Sequence, residues 1–183
     1  MTQLQTNKQY ALQLYATAME FYQVYPVLVT DTSKLHDFTA VKHYNLCHAL
    51  ELTLKGWLVY TGQFSEKRLM HRYGHDLRKL ANKVRAVYGS FKELDACMGF
   101  IRVLNPDYYG KSYEYPTHGG KFTGTNHARF AATAEALIHT LARDIRSERF
   151  PEKPLPVDPE KSFWERVGDV VVRFGQWLKT LSD

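Results

Sequence analysis

One stretch of the chain, His48-Ala49-Leu50-Glu51-Leu52-Thr53-Leu54-Lys55, has residue types and spacing that can do chemistry. On a helix, His48, Glu51 and Lys55 share one side, because they stand three and four residues apart. Glu51 four residues before Lys55 is the favourable order for a helical ion pair, worth about 0.2–0.5 kcal/mol in solvent. The surrounding helix is apolar enough to be central in a bundle, so partial burial of the pair is expected. A second candidate group is Gly74-His75-Asp76-Leu77. Asp76 can accept from backbone N–H groups at a helix start. His75 stands just before that cap, where it can pack back on the earlier helix. The expected role of Glu51, Lys55, His75 and Asp76 is to organise this helix junction, with Lys55 and His75 placed to meet a phosphate.

The elements that must hold these residues are helical. Leu4, Ala11, Leu14, Tyr15, Ala18, Phe21, Tyr22 and Tyr25 recur at helical steps and predict a first helix ending near Pro26. A second helix is predicted over 37–61, with Gly62 at its C-terminal end. Asp76 should cap a third, with Leu77, Leu80, Ala81, Val84 and Val87 facing inward and Gly89 ending it. Ser90-Phe91-Lys92-Glu93 reads as a capping box opening a fourth. Leu94, Cys97, Met98, Ile101 and Leu104 form its stripe, and Pro106 should stop it. Cys97 on that stripe is expected to be a small buried hydrophobe. A fifth helix is predicted over 125–149.

Residues 105–124 lack periodicity and read as a long loop. It holds Tyr108, Tyr109, Tyr113 and Tyr115 beside Lys111, His118 and Lys121. Aromatics interleaved with basic groups can stack bases and hold phosphates, which makes Tyr109, Tyr113 and Lys121 candidate ligand contacts. Four prolines between 151 and 159 predict a stiff linker. The remaining residues, 160–183, predict an accessory helix with a wide apolar stripe containing Trp164 and Trp177. Its charges are mixed in sign, which argues against a membrane-surface helix and for docking on the bundle or on a second subunit. The expected fold is all-α: an antiparallel four- to five-helix bundle over 1–150, a Pro-rich linker over 151–159, and a C-terminal amphipathic helix.

Composition narrows the classes. The chain has 183 residues, 44% hydrophobic and 23% charged, which suits one globular domain with an appendage and excludes a disordered chain. No run of about 18 apolar residues occurs, so no spanning helix and no membrane partner are expected. Two cysteines are too few for a disulfide scaffold, and the first residues lack the order of a secretion signal. A reduced cytoplasm is the expected location. The formal charge is +5, all of it on the bundle, since 151–183 carry a slight acidic excess. A pI near 9.1 permits phosphate attraction without requiring it.

The Glu51–Lys55 helix, the glycine at 62 and the His75-Asp76-Leu77 step together resemble the HEPN family, nucleotide-binding helical bundles of higher eukaryotes and prokaryotes. Helix order and loop positions resemble the family over about residues 5–147. The resemblance implies a homodimer, association with a nucleotidyltransferase-type protein, and RNA or nucleotide as ligand. It points to a defence or toxin–antitoxin-like setting.

Ribonuclease branches of that family use an arginine and a histidine with four to six residues between them on a later helix, paired across a dimer. Such a histidine can move the 2′-hydroxyl proton while the arginine stabilises phosphorane charge. Here only Arg68 has a histidine at that spacing, His75, and the pair lies at the second loop. At the fifth helix Lys121 and His127 stand nearest the pattern, and lysine does not replace arginine. The family's Arg-Tyr-Pro is Glu114-Tyr115-Pro116 in this chain. These departures favour a non-catalytic nucleotide- or RNA-binding module. A metal-independent endoribonuclease using Arg68, His75 or His127 is the alternative, and a structural interaction subunit is a third. Eight histidines also raise the question of a metal. His71 and His75 are four apart and His48 and Glu51 three apart, so a folded-back loop would assemble zinc ligands. With His75 explained by the family step and no third pair at ligand spacing, no metal and no cofactor are assigned.

Overall fold

The computed structural model describes residues 3–30, 39–62, 64–113 and 127–147. Six helices lie among them: α1 (Gln3–Thr30), α2 (Thr39–Tyr60), α3 (Glu66–Tyr73), α4 (Leu77–Tyr88), α5 (Lys92–Tyr109) and α6 (His127–Arg146). No strand occurs among the described residues, so the expectation of an all-α bundle holds. The chain divides into two units, Met1–Pro151 and Glu152–Asp183. The predicted linker and accessory helix lie outside the described residues.

Side-chain pairings give the directions. Gly56 of α2 lies against Ala11 of α1, and Ala49 packs with Ala18. The two helices are therefore antiparallel. Ala49 also meets Ile138 and Gly56 meets Leu141, so α6 runs with α2. Cys97 bonds to Thr133 and Phe100 packs on Phe130, which sets α5 against α6. Arg78 pairs with Asn105 and Arg85 with Asp95, so α4 and α5 form an antiparallel hairpin. α2 touches α1, α4, α5 and α6 and is buried almost all round, with Leu46, Ala49, Leu50, Leu54, Trp57 and Leu58 fully enclosed. Small residues at the α1–α2 crossing make this possible. A Cβ on Gly56 would come 2.8 Å from Leu141 Cδ2 and 3.6 Å from the Ala11 carbonyl.

Three expectations are corrected. Neither Pro26 nor Pro106 stops its helix: α1 continues to Thr30 and α5 to Tyr109. Each proline removes one N–H, but both are exposed, where solvent can serve the carbonyl left unpaired. The capping box at 90–93 is absent. Phe91 occupies the N-cap position without a side-chain bond, and Ser90 Oγ donates to the Asp95 carboxylate at 2.6 Å. The stretch after Gly62 is not all loop, since it contains α3. Cys97 is fully buried, as expected, and so is Cys47.

Candidate functional site

Glu51 is 2% exposed in the middle of the most buried helix. An isolated carboxylate there would be strongly disfavoured, so its partners decide what it does. Lys55, one turn on, donates from Nζ to Oε1 at 2.5 Å. His75 reaches Oε2 through Nδ1 at 2.9 Å. Tyr108 donates its hydroxyl to the same Oε2 at 2.6 Å. His48 Nδ1 lies 2.9 Å from the Tyr108 hydroxyl and 3.8 Å from Oε2.

Proton counting fixes the polarity of this network. A carboxylate only accepts, so His75 carries its proton on Nδ1. Tyr108 gives its single proton to Glu51, so its oxygen accepts from His48 Nδ1–H. Burial pushes the Glu51 carboxyl up, but the Lys55 charge and the bonds from Lys55, Tyr108 and His75 outweigh it and hold the group below its ordinary value. Burial and then the Glu51 charge drive the Tyr108 phenol far above its usual value, so it stays a donor.

Local structure aims each group. Gly74 takes a φ of +48°, a left-handed conformation that turns the chain between α3 and α4 and returns His75 to α2. Asp76 then caps α4, its Oδ1 accepting from Lys79 N at 3.0 Å and from Asn105 Nδ2 at 3.3 Å. Asn105 Oδ1 in turn accepts from Arg78 N at 3.3 Å, which ties the start of α4 to α5. His48 stacks on Tyr44 with ring planes 7° apart and meets the edge of Phe21. His75 stands edge-on to Tyr108. Two helices and the turn before α4 thus converge on one carboxylate, while His48 and His75 keep 19% and 35% of their side-chain surfaces open.

Of the residues singled out by sequence, His48, Glu51, Lys55 and His75 come together, with Asp76 beside them as the cap of α4. The others go elsewhere. Arg68 lays its guanidinium 5.5 Å from the centre of the Phe64 ring, which Lys83 Nζ approaches to 5.4 Å. Tyr109 is exposed, whereas Tyr113 is buried against His43. Lys121 and Glu114-Tyr115-Pro116 lie outside the described residues. His127 opens α6. A cleft of about 410 Å³ opens between the first turns of α1 and the end of α2, lined by Asn7, Tyr10, Gln13, Val59, Phe64 and Ser65, and contains none of the predicted residues.

Tyr108 is the member that the sequence does not point to, because Pro106 reads as a helix stop. The signal was present: Leu94, Cys97, Ile101, Leu104 and Tyr108 keep a three-four spacing straight through the proline. Among the described residues, no helix is long and apolar enough to cross a membrane. No family model matches the chain, and no curated protein or solved structure matches it.

Proposed function

We propose that this chain is a HEPN-like, dimerising nucleotide- or RNA-binding module without catalytic activity, working beside a protein partner of the nucleotidyltransferase type in a defence or toxin–antitoxin-like system. One observation carries the reading: Lys55 and His75, the two groups suited to a phosphate, are fixed on the same buried carboxylate. Glu51 holds one from its own helix and the other from the turn before α4, so they are positioned before any ligand arrives. The net charge of +5 favours a polyanion. The absence of cleavage in this reading follows from where Arg68 goes: its guanidinium lies over Phe64, while His75 Nδ1 is committed to Glu51.

Incubation of the purified full chain with a labelled RNA pool and with labelled nucleotides, with and without chelator, tests this reading. Retention without cleavage is expected, weakened by Lys55→Gln and by rising salt. Cleavage that persists in chelator would replace the reading with a metal-independent ribonuclease. Neither retention nor cleavage would leave a structural interaction subunit. Light scattering on the same sample reads the dimer directly.

A further inference from the structure

We propose that His48 Nδ1, Glu51 Oε2 and His75 Nδ1 form a site for a divalent transition metal of the zinc class, with the Tyr108 oxygen at its fourth position. The inference goes beyond nucleotide binding and does not depend on it. Two imidazole nitrogens and one carboxylate oxygen are a borderline donor set that suits zinc, whereas magnesium and calcium favour oxygen alone.

The geometry is close to what such an ion needs. The three ligand atoms all lie within 4.8 Å of one another. Tetrahedral bonds of about 2.0–2.1 Å place ligand atoms about 3.3 Å apart. The His75–Glu51 distance of 2.9 Å must open slightly and the His48–Glu51 distance of 3.8 Å must close by about as much. Sub-ångström movement of two partly open imidazoles achieves both, and their exposed edges give the ion a route from solvent. The Tyr108 oxygen, 2.6 Å from Oε2 and 2.9 Å from His48 Nδ1, borders the same point.

The surroundings resemble the outer shell of a metal site. Lys55 occupies Oε1, so Glu51 is oriented to bind through Oε2 alone. Tyr44 and Phe21 fix the plane of His48. The proton balance closes within the imidazoles. On ligation the proton on each Nδ1 moves to Nε2, which faces away from the metal, and the Tyr108 hydroxyl keeps its proton, turns it from Oε2 and offers the metal an oxygen lone pair. Spacing along the chain supplies only His48 and Glu51 of this set, three residues apart; His75 stands 24 residues from Glu51 and joins them through the turn at Gly74.

The test is titration of metal-stripped full-length protein with Zn²⁺ by calorimetry and with Co²⁺ by visible absorption. One ion per chain is expected, with the intense Co²⁺ bands of a four-coordinate site. Glu51→Gln and His75→Asn should each weaken binding by about 100-fold or more, and Lys55→Gln by about 10–100-fold. His139→Asn, on the exposed face of α6, should leave it unchanged. Thermal melts confirm that each variant folds. Histidine ¹⁵N spectra of the wild-type chain give a readout that needs no variant: Zn²⁺ should convert His48 and His75 from the Nδ1–H to the Nε2–H form. Absence of stoichiometric binding would overturn the site. So would binding that leaves those two rings unmoved, or that survives in folded His75→Asn protein. The RNA assay is read separately, in chelator, so either reading can fail alone.

Discussion

Tyr108 on α5 donates its hydroxyl proton at 2.6 Å to Oε2 of Glu51 on α2, joining residues 57 apart in sequence inside the core. A hydrogen bond to a charged acceptor contributes about 1.5–3 kcal/mol, more than the mean for neutral pairs. Tyr108→Phe keeps the ring and removes only the hydroxyl. It is expected to cost stability in that range, because Glu51 loses a donor and His48 Nδ1 loses its acceptor. Chemical denaturation of Tyr108→Phe, Glu51→Gln and the double variant gives the coupling. Coupling of about 0.5–3 kcal/mol is expected for groups in one network, and additive effects would show that the contact contributes nothing.

Gly56 of α2 faces Ala11 and Leu14 of α1 and Leu141 of α6, and two opposing effects decide its substitutions. Alanine gains about 1 kcal/mol of helix propensity over glycine. Its Cβ would press on Leu141 Cδ2, the far end of a side chain, at 2.8 Å. The two terms nearly cancel, and Gly56→Ala should lie within about 1 kcal/mol of wild type. Gly56→Val adds methyls toward the Ala11 carbonyl and Leu14 Cβ, 3.6 and 3.7 Å away, where backbone cannot yield. Overpacking of this kind costs about 1–3 kcal/mol. Thermal melts of the two variants should therefore separate by several degrees.

Helical periodicity made most of the fold legible. The stripes that predicted the helices at 77–87 and 94–104 are the faces that α4 and α5 bury. The 3–4 spacing of His48, Glu51 and Lys55 placed them on one side of α2. Prolines and burial caused the misreadings. Pro26 and Pro106 are punctuation in a sequence, yet an exposed proline in a long helix costs only one bond, and packing of Tyr25 and Tyr108 carries the helix on. The α3 helix is hard to read in sequence because its eight residues make barely two turns and carry only three apolar side chains, Leu69, Met70 and Tyr73. The Glu51 network itself was half visible. Sequence supplied the helix pair and the expectation that His75 packs back on α2, but which α5 residue closes the network depends on tertiary packing.

Asp76 offers a separable test of the helix junction. Its carboxylate caps α4 and accepts from Asn105, but it takes no part in the bonds to Glu51. Asp76→Ala should cost about 0.5–2 kcal/mol through the lost cap. Asp76→Asn keeps a side-chain oxygen at Lys79 N and should recover most of that. Should both variants melt alike, the cap would not be what Asp76 contributes, and its charge beside Lys79 Nζ at 3.4 Å, which both variants lose, would become the stronger candidate.

The two cysteines begin the loss of stability on the alkaline side. Burial pushes the Cys97 thiol up to about 12, with the Glu93 charge adding to it, and raises Cys47 well above its ordinary value of 9.0. In the unfolded chain both thiols ionise near their ordinary value, while in the fold they stay neutral. Protons are therefore bound more tightly in the folded state, and the stability they contribute is complete below about pH 9 and lost as pH rises toward the folded values. Denaturation midpoints should be flat from neutral to about pH 8.5 and fall above it. Replacing both residues with alanine or valine should flatten the fall below about pH 10, whatever it does to stability at neutral pH; above that the buried phenols of Tyr88, Tyr108 and Tyr113, raised by burial, lower stability by the same linkage. In native protein a thiol reagent should react with neither residue on the timescale on which it labels both in denaturant, since the thiolate is the reactive form and burial withholds it. Rapid native labelling of Cys47 or Cys97 would mean that the α2 or α5 face carrying it opens far more readily than the packing allows.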